Sequence, residues 1–276
     1  MKLKYLGTAA AEGIPALFCD CEVCKRSMEL GGKNIRTRSQ AIIDNTLLID
    51  FPPDTYWHFI QHKLPMDKIQ NCLVTHSHQD HLYAPDIYVR KKGFANFSEE
   101  KPPLNFYVGK DGCKKIDEVI SSGRMTEAKT HLVKAGDVFE VEGYRVTALE
   151  ASHDPKSNPL IYIIEKDGKS VFYSNDTSDY PKSSWEILKK YGKHISLISL
   201  DCTEGTKHIE YIGHMNLERC IAIREKLKSV GVADQNTVFV LHHFSHNGGN
   251  SVYEDFKEIA AKEGFLVSFD GMEIEV

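Results

Sequence analysis

Residues 73–81 read LVTHSHQDH, a short apolar run that ends in three histidines and an aspartate. No other feature limits the fold as much. Four side chains of ligand type within six positions, His76, His78, Asp80 and His81, need a rigid base such as a strand end to present them. Neutral imidazoles and a carboxylate suit zinc and harder relatives such as manganese or iron. One loop cannot surround two ions, so further ligands must arrive from later strand ends. Three positions answer: His153 after VTALEAS, Asp176 after SVFYSN and His243 after TVFVLH. Each has a plainer reading, as a loop histidine, a turn-capping aspartate or half of a chance pair with His242. Their common placement after apolar strands favours ligation.

A fold that delivers side chains this way must be rich in short strands, and the chain supplies them. LKYLG, SQAII, TLLID, CLVTH, LNFYVG, YRVTALEAS, LIYIIE, SVFYSND, ISLISLD, TVFVLHH and FLVSF all read as strands. Helical spacing predicts helices over 180–191, over 216–230 with apolar Leu217, Ile221, Leu227 and Val230, and over 251–263 with Phe256, Ile259 and Ala260. Asn216 and Asn250 are the expected N-caps of the last two, and Gly231 and Gly264 their stops. Pro52-Pro53, Pro102-Pro103 and the loop HDPKSNP break the pattern without a composition shift that would mark a linker, so one domain over 1–276 is expected. Strands followed by helices in each half suggest two sheets covered by helices.

Composition narrows the function. A net charge of −5, with Lys and Arg scattered, disfavours a nucleic-acid partner. The start MKLKYLGTAAAEG has no apolar core of leader length, and no apolar run would span a bilayer, so a cytoplasmic protein with no membrane partner is expected. Seven cysteines make a poor disulfide framework, and three of them fall in CDCEVC at 19–24.

Cys19, Cys21 and Cys24, on a loop after the first strand, can converge on one tetrahedral ion. The fourth ligand must come from elsewhere, and His246, three residues beyond His243, is the candidate; free cysteines are the plainer reading. Three thiolates and one imidazole saturate zinc and leave no position for water. That zinc would be structural, stapling the N-terminal loop to the wall of the site.

The order His-x-His-x-Asp-His, then His, Asp and His, resembles the metallo-β-lactamase superfamily over essentially the whole chain. The resemblance implies a layered α+β fold, an αββα sandwich with a two-metal site along one edge. It implies one divalent ion, zinc or manganese, on His76, His78 and His153, a second on Asp80, His81 and His243, and Asp176 bridging them. Asp50, which closes TLLID, matches an aspartate that orients a ligand histidine. Ala84 stands where the pattern has glycine, Asn175 where it has serine, and Phe51-Pro52 follow Asp50 in place of Ala-Gly. None of these removes a ligand.

GTAAAEGIPALFCDCEVC, THSHQDH, GHMNLE and FDGMEI together resemble the branch of cyclic phosphodiesterases in carbon-phosphorus lyase pathways. The cysteine motif also occurs in a relative from pyrroloquinoline quinone biosynthesis. The branch implies that 5-phosphoribosyl 1,2-cyclic phosphate, a small phosphorylated sugar, is opened to ribose 1,5-bisphosphate. A hydroxide shared by two ions about 3.5–4 Å apart would attack phosphorus, and a histidine would protonate the departing oxygen. His214 matches that acid, His208 competes with it, and Asp80 joins His214 in the catalytic set. Lys156, Lys207 and Arg90 are candidates for holding the 5-phosphate. Two other classes remain: a metallo-hydrolase of a thioester, lactone or other phosphodiester including RNA, and a non-catalytic zinc-binding accessory protein of a cofactor pathway. A homodimer is compatible with the sequence.

Overall fold

Strands that are apolar at every position need cover on both faces, and Leu47–Ile49 is buried throughout. The computed structural model, which describes residues 1–97, 100–122, 127–208, 213–249 and 252–276, meets that need with two seven-stranded sheets packed face to face. The first contains β1 (Lys2–Gly7), β2 (Gln40–Ile43), β3 (Leu47–Ile49), β4 (Asn71–Leu73), β5 (Leu104–Val108) and β6 (Ala128–Leu132) in that order. The second runs β7 (Val138–Val141), β8 (Tyr144–Glu150), β9 (Leu160–Lys166), β10 (Lys169–Ser174), β11 (Leu197–Asp201), β12 (Val238–His242) and β13 (Leu266–Val267). The chain then returns to the first sheet as β14 (Glu273–Glu275), antiparallel to β1.

Three apolar layers follow from the alternation along each strand. Ala41, Ile43, Leu47 and Ile49 point inward and meet Tyr144, Val146, Tyr162 and Tyr173 of the other sheet. Ile42 and Leu48 point outward with Phe106 and Val108, under α3 (Lys110–Ser121) and its Ile116. On the far side, α4 (Lys182–Tyr191), α5 (Leu217–Ser229) and α6 (Tyr253–Lys262) cover the second sheet through Trp185, Leu188, Ile223, Leu227 and Phe256. Fully burying one such side chain contributes roughly 1.5–3 kcal/mol. The result is the expected αββα sandwich.

Helix details differ from expectation in informative ways. Asn216 caps α5 as expected, its side chain accepting from Arg219 N at 2.9 Å. The buried stripe, however, is Leu217, Cys220, Ile223 and Leu227, while Ile221 and Val230 lie at its margin. α4 starts at Lys182 because Pro181 occupies its N-cap. Asn250 lies outside the described residues. The cysteine motif is part loop and part helix, since Cys24 belongs to α1 (Glu22–Leu30). α2 (Thr55–His62) is inverted: Thr55 and His58 are buried, while Tyr56, Trp57, Phe59 and Ile60 face solvent. Among the described residues, no helix is long and apolar enough to cross a membrane.

Candidate metal centre

The site sits where strands of both sheets end. Asp50 follows β3, His76–His81 follow β4, Asp176 follows β10, Asp201 closes β11 and His243 follows β12. β3 and β4 run parallel, as do β10, β11 and β12, so their carboxyl ends point to one edge. Asp50, Asp176 and His243 have φ of 68°, 47° and 63°. These left-handed turns, of order 1–3 kcal/mol each, fold the chain sharply off the strand at the site.

Two groups of side chains converge. His78 Nδ1 lies 3.0 Å from His76 Nε2 and 3.3 Å from His153 Nε2. His81 Nε2 lies 3.2 Å from Asp80 Oδ2, and with His243 these form the second group. Asp176 stands between them, with Oδ2 3.0 Å from His81 Nε2 and 3.1 Å from His243 Nε2, and Oδ1 3.8 Å from His153 Nε2.

The outer ring nitrogens explain the inner ones, because a neutral imidazole carries one N–H. His76 Nδ1 lies 3.1 Å from Thr75 Oγ1, His78 Nε2 3.3 Å from Asp154 Oδ2 and His153 Nδ1 3.3 Å from Gly213 O. His81 Nδ1 lies 2.7 Å from Asp50 Oδ2, and His243 Nδ1 2.8 Å from Thr203 Oγ1. All five histidines thus have an oxygen behind them to take the proton, which turns a lone pair inward. Among the described residues no hydrogen bond reaches the buried atoms His81 Nε2, Asp176 Oδ2 or His243 Nε2, although they crowd within hydrogen-bond distance of one another. Buried polar atoms crowded together with no hydrogen bond between them fit divalent cations.

Electrostatics agree. Burial pushes His76 well below the usual imidazole range and also lowers His153, favouring the neutral ligating form. Burial opposes charge on His81, yet Asp176, Asp80 and Asp50 together push it well above its ordinary value. That excess of carboxylate is what a cation would compensate. Asp50 is raised by its own burial, offset by His81 and by Thr75, whose N–H donates to it at 2.7 Å.

Beside the second group stands His214. Its Nδ1 lies 3.0 Å from Asp201 Oδ2, and its ring stacks on His243 at 5.6 Å and lies 5.0 Å from His153. Burial works against its protonation, but Asp201 brings it up to about 9. His208, the competing acid, is 84% exposed, with Nδ1 3.9 Å from Glu218 Oε2. Arg90 donates to Pro102 O. Asp154, Asp201, Thr75 and Thr203 are site residues that the sequence patterns did not single out. Asp201 could have been found, because it closes ISLISLD as Asp50 closes TLLID.

The second cluster assembles as its spacing suggests. Cys19, Cys21, Cys24 and His246 bring their ligand atoms within 4.8 Å of one another. His246 Nδ1 lies 3.5 Å from Cys19 Sγ and 3.4 Å from Cys21 Sγ. Burial pushes the Cys24 thiol up to about 12. For Cys21, burial is outweighed by the Cys24 N–H and by His246, which bring its thiol down to about 6.

The chain matches a family model described as the beta-lactamase superfamily domain over residues 45–244. Its fold is similar to the crystal structure of a diphosphatase from the PhnP family, with a TM-score of 0.77 and 23% identity over 100% of this chain and 97% of that one. It is also similar to zinc-bound PqqB from Methylobacterium extorquens, with a TM-score of 0.75 and 18% identity over the full length of both. A ribonuclease Z from Picosynechococcus sp. is 26% identical over 160 residues, covering 55% of this chain. The chain spans less than half of that relative, 44%.

Proposed function

Because the chain belongs to the β-lactamase superfamily, whose members include metal-dependent hydrolases, we propose that its histidine and aspartate cluster is the dinuclear centre of a phosphodiesterase. His76, His78 and His153 would hold one ion, Asp80, His81 and His243 the other, and Asp176 both. The observation that carries this reading is the Asp201–His214 pair on the wall of the cluster, at 3.0 Å. An alkoxide leaving group needs a proton, and a histidine oriented by a carboxylate beside the ions can give one.

When bound, the two ions supply Lewis acidity toward phosphoryl oxygens and a water of lowered pKa. The protein's own groups do the rest. His214 donates Nδ1–H to Asp201, so Nε2 is the nitrogen that gives its proton to the departing oxygen. The water oxygen bonds to phosphorus, the bond from phosphorus to the sugar oxygen breaks, and the water's proton replaces the one lost by His214. Asp201 holds the ring through both halves of that exchange.

The substrate follows from the branch resemblance: 5-phosphoribosyl 1,2-cyclic phosphate, opened to ribose 1,5-bisphosphate. The Cys19, Cys21, Cys24 and His246 cluster would hold a structural zinc, since four protein ligands leave no open position. A PhnP-family neighbour of similar fold supports a phosphoryl substrate. The ribonuclease Z similarity supports a second reading, an RNA phosphodiester at the same centre.

Phosphorus NMR of the cyclic phosphate with metal-loaded protein tests the first reading. The ring signal should give way to ribose 1,5-bisphosphate. No conversion by protein carrying two ions at the centre would discard that substrate. Cleavage of RNA or of a diphosphate instead would keep the dinuclear centre and move the assignment.

A further inference from the structure

Two aspartate–threonine pairs lie beneath the centre, one from each sheet. In the first, Thr75 Oγ1 lies 2.9 and 3.0 Å from the two oxygens of Asp50 and 3.1 Å from His76 Nδ1. In the second, Thr203 Oγ1 lies 3.1 Å from Asp201 Oδ2, 2.8 Å from His243 Nδ1 and 3.2 Å from His214 Nδ1. Asp201 and His243 are buried, as is Thr203 itself.

We propose that Thr203 is a positioning residue that sets the ring tautomer of His243 and shares Asp201 with His214, tying the seat of the second ion to the general acid. The proposal rests on the dinuclear reading above for its functional meaning, but its geometry stands alone. A hydroxyl has one proton to give and two lone pairs to accept with. Asp201 accepts from Thr203 N at 3.1 Å and Met215 N at 2.9 Å through Oδ1, and from Asp176 N at 3.0 Å through Oδ2. It acts as an acceptor throughout, so the proton between it and Thr203 Oγ1 is the threonine's.

With its proton committed, Thr203 can only accept from His243. The His243 proton therefore sits on Nδ1 and the Nε2 lone pair faces Asp176 and His81. The opposite arrangement would set the threonine oxygen against Asp201 Oδ2 with no proton between them. It would also place an N–H on His243 Nε2, which has no hydrogen-bond geometry toward Asp176 Oδ2 despite a separation of 3.1 Å. The same hydroxyl lies beside the His214 Nδ1–H that Asp201 receives, so both rings are referenced to one oxygen.

The backbone holds that oxygen in place. Ser245 N donates to Thr203 O at 3.2 Å, and Thr206 N to Gly248 O at 3.0 Å, which pins the loop after β11 to the loop after β12. That approach needs glycine, since a Cβ on Gly205 would stand 2.0 Å from Gly248 O.

Long-range nitrogen NMR of histidine-labelled protein as purified reads the tautomer directly. A proton on His243 Nδ1 is expected; a proton on Nε2 in the wild-type chain would overturn the proposal without any substitution. Thr203→Val keeps the shape and removes the hydroxyl. It should weaken one of the two ions at the centre by about 10–100-fold in chelator competition, leave the cysteine-bound zinc in place and mix the His243 tautomers. Thr203→Ser should restore both readouts. Parental metal affinity together with an unchanged His243 tautomer in Thr203→Val would also overturn it. If the wild-type centre takes up fewer than two ions, the dinuclear reading fails, while the tautomer still decides the role of Thr203.

Discussion

Asp201 Oδ2 lies 3.0 Å from His214 Nδ1, and the backbone N–H of Asp176 donates to the same oxygen. One buried carboxylate therefore fixes both the residue that would bridge the ions and the one that would protonate the leaving group. Replacing His214 by alanine should lower kcat by about 10²–10⁴-fold for a sugar or alkyl leaving group. The loss should be far smaller for a bis-nitrophenyl phosphodiester, because nitrophenolate departs without a proton. Steady-state kinetics on both substrates separates the cases: equal losses would mean that His214 does not act as an acid.

The cysteine cluster makes a different prediction, because its ligands join α1 and the segment before it to the loop after β12. Cys21→Ser should remove one zinc per chain by elemental analysis and leave the ions at the histidine centre. Melting should fall by roughly 2–4 °C for each kcal/mol of stabilisation lost, as for other large domains. A variant with unchanged zinc content would show that the four residues hold no ion.

Most of this architecture is legible before any coordinates, for a simple reason. A strand buried on both faces needs a continuous apolar run, and the polar residue that ends the run is conspicuous. TLLID, NCLVTH, SVFYSND and TVFVLHH mark the site in that way. The oxygens behind the histidines are not so marked. Thr75 and Thr203 are ordinary hydroxyls until the fold places a carboxylate beside each. α2 escapes because TYWHFIQH buries its polar stripe, with His58 Nδ1 2.6 Å from Gln40 Oε1, and turns its aromatic residues out. A search for helical periodicity looks for the reverse. β6 escapes because none of its residues is buried, so alternation leaves no apolar trace.

Asp270 gives the protein a pH dependence of its own. Burial pushes its carboxyl up to about 6, against hydrogen bonds from Thr37 and Thr8 and the nearby Arg36. The Arg36 guanidinium is directed at Thr8 Oγ1 and Ser268 O. In the unfolded chain the group titrates near 3.9, so between those values the folded state keeps a proton that the unfolded state releases. The stability this contributes is fully present below about pH 4 and is lost as pH rises through about 6. Asp270→Asn is neutral at every pH and removes the effect. The stability of wild type relative to the variant should fall by roughly 2–3 kcal/mol between pH 4 and 6 and then level off. His58, lowered to about 3 by burial, works in the opposite direction in both proteins and drops out of the comparison to first order. Urea melts across that range check it, and a constant difference would show that Asp270 titrates normally.

The last prediction separates backbone strain from close approach. Gly205 has φ of +48° and would place a Cβ 2.0 Å from Gly248 O, whereas Gly231 has φ of +81° and would meet nothing within 4 Å. Alanine at Gly231 therefore incurs only the left-handed backbone, about 1 kcal/mol. Alanine at Gly205 adds a collision with a carbonyl that cannot swing away, because Thr206 N is bonded to it. That substitution should cost roughly 2–4 kcal/mol. It should also weaken metal binding at the histidine centre, since the two loops it forces apart carry Thr203 and follow His243. Denaturant melts and chelator titrations of both variants give the contrast. Equal stability losses, with metal affinity unchanged in Gly205→Ala, would show that the loops can separate without disturbing His243.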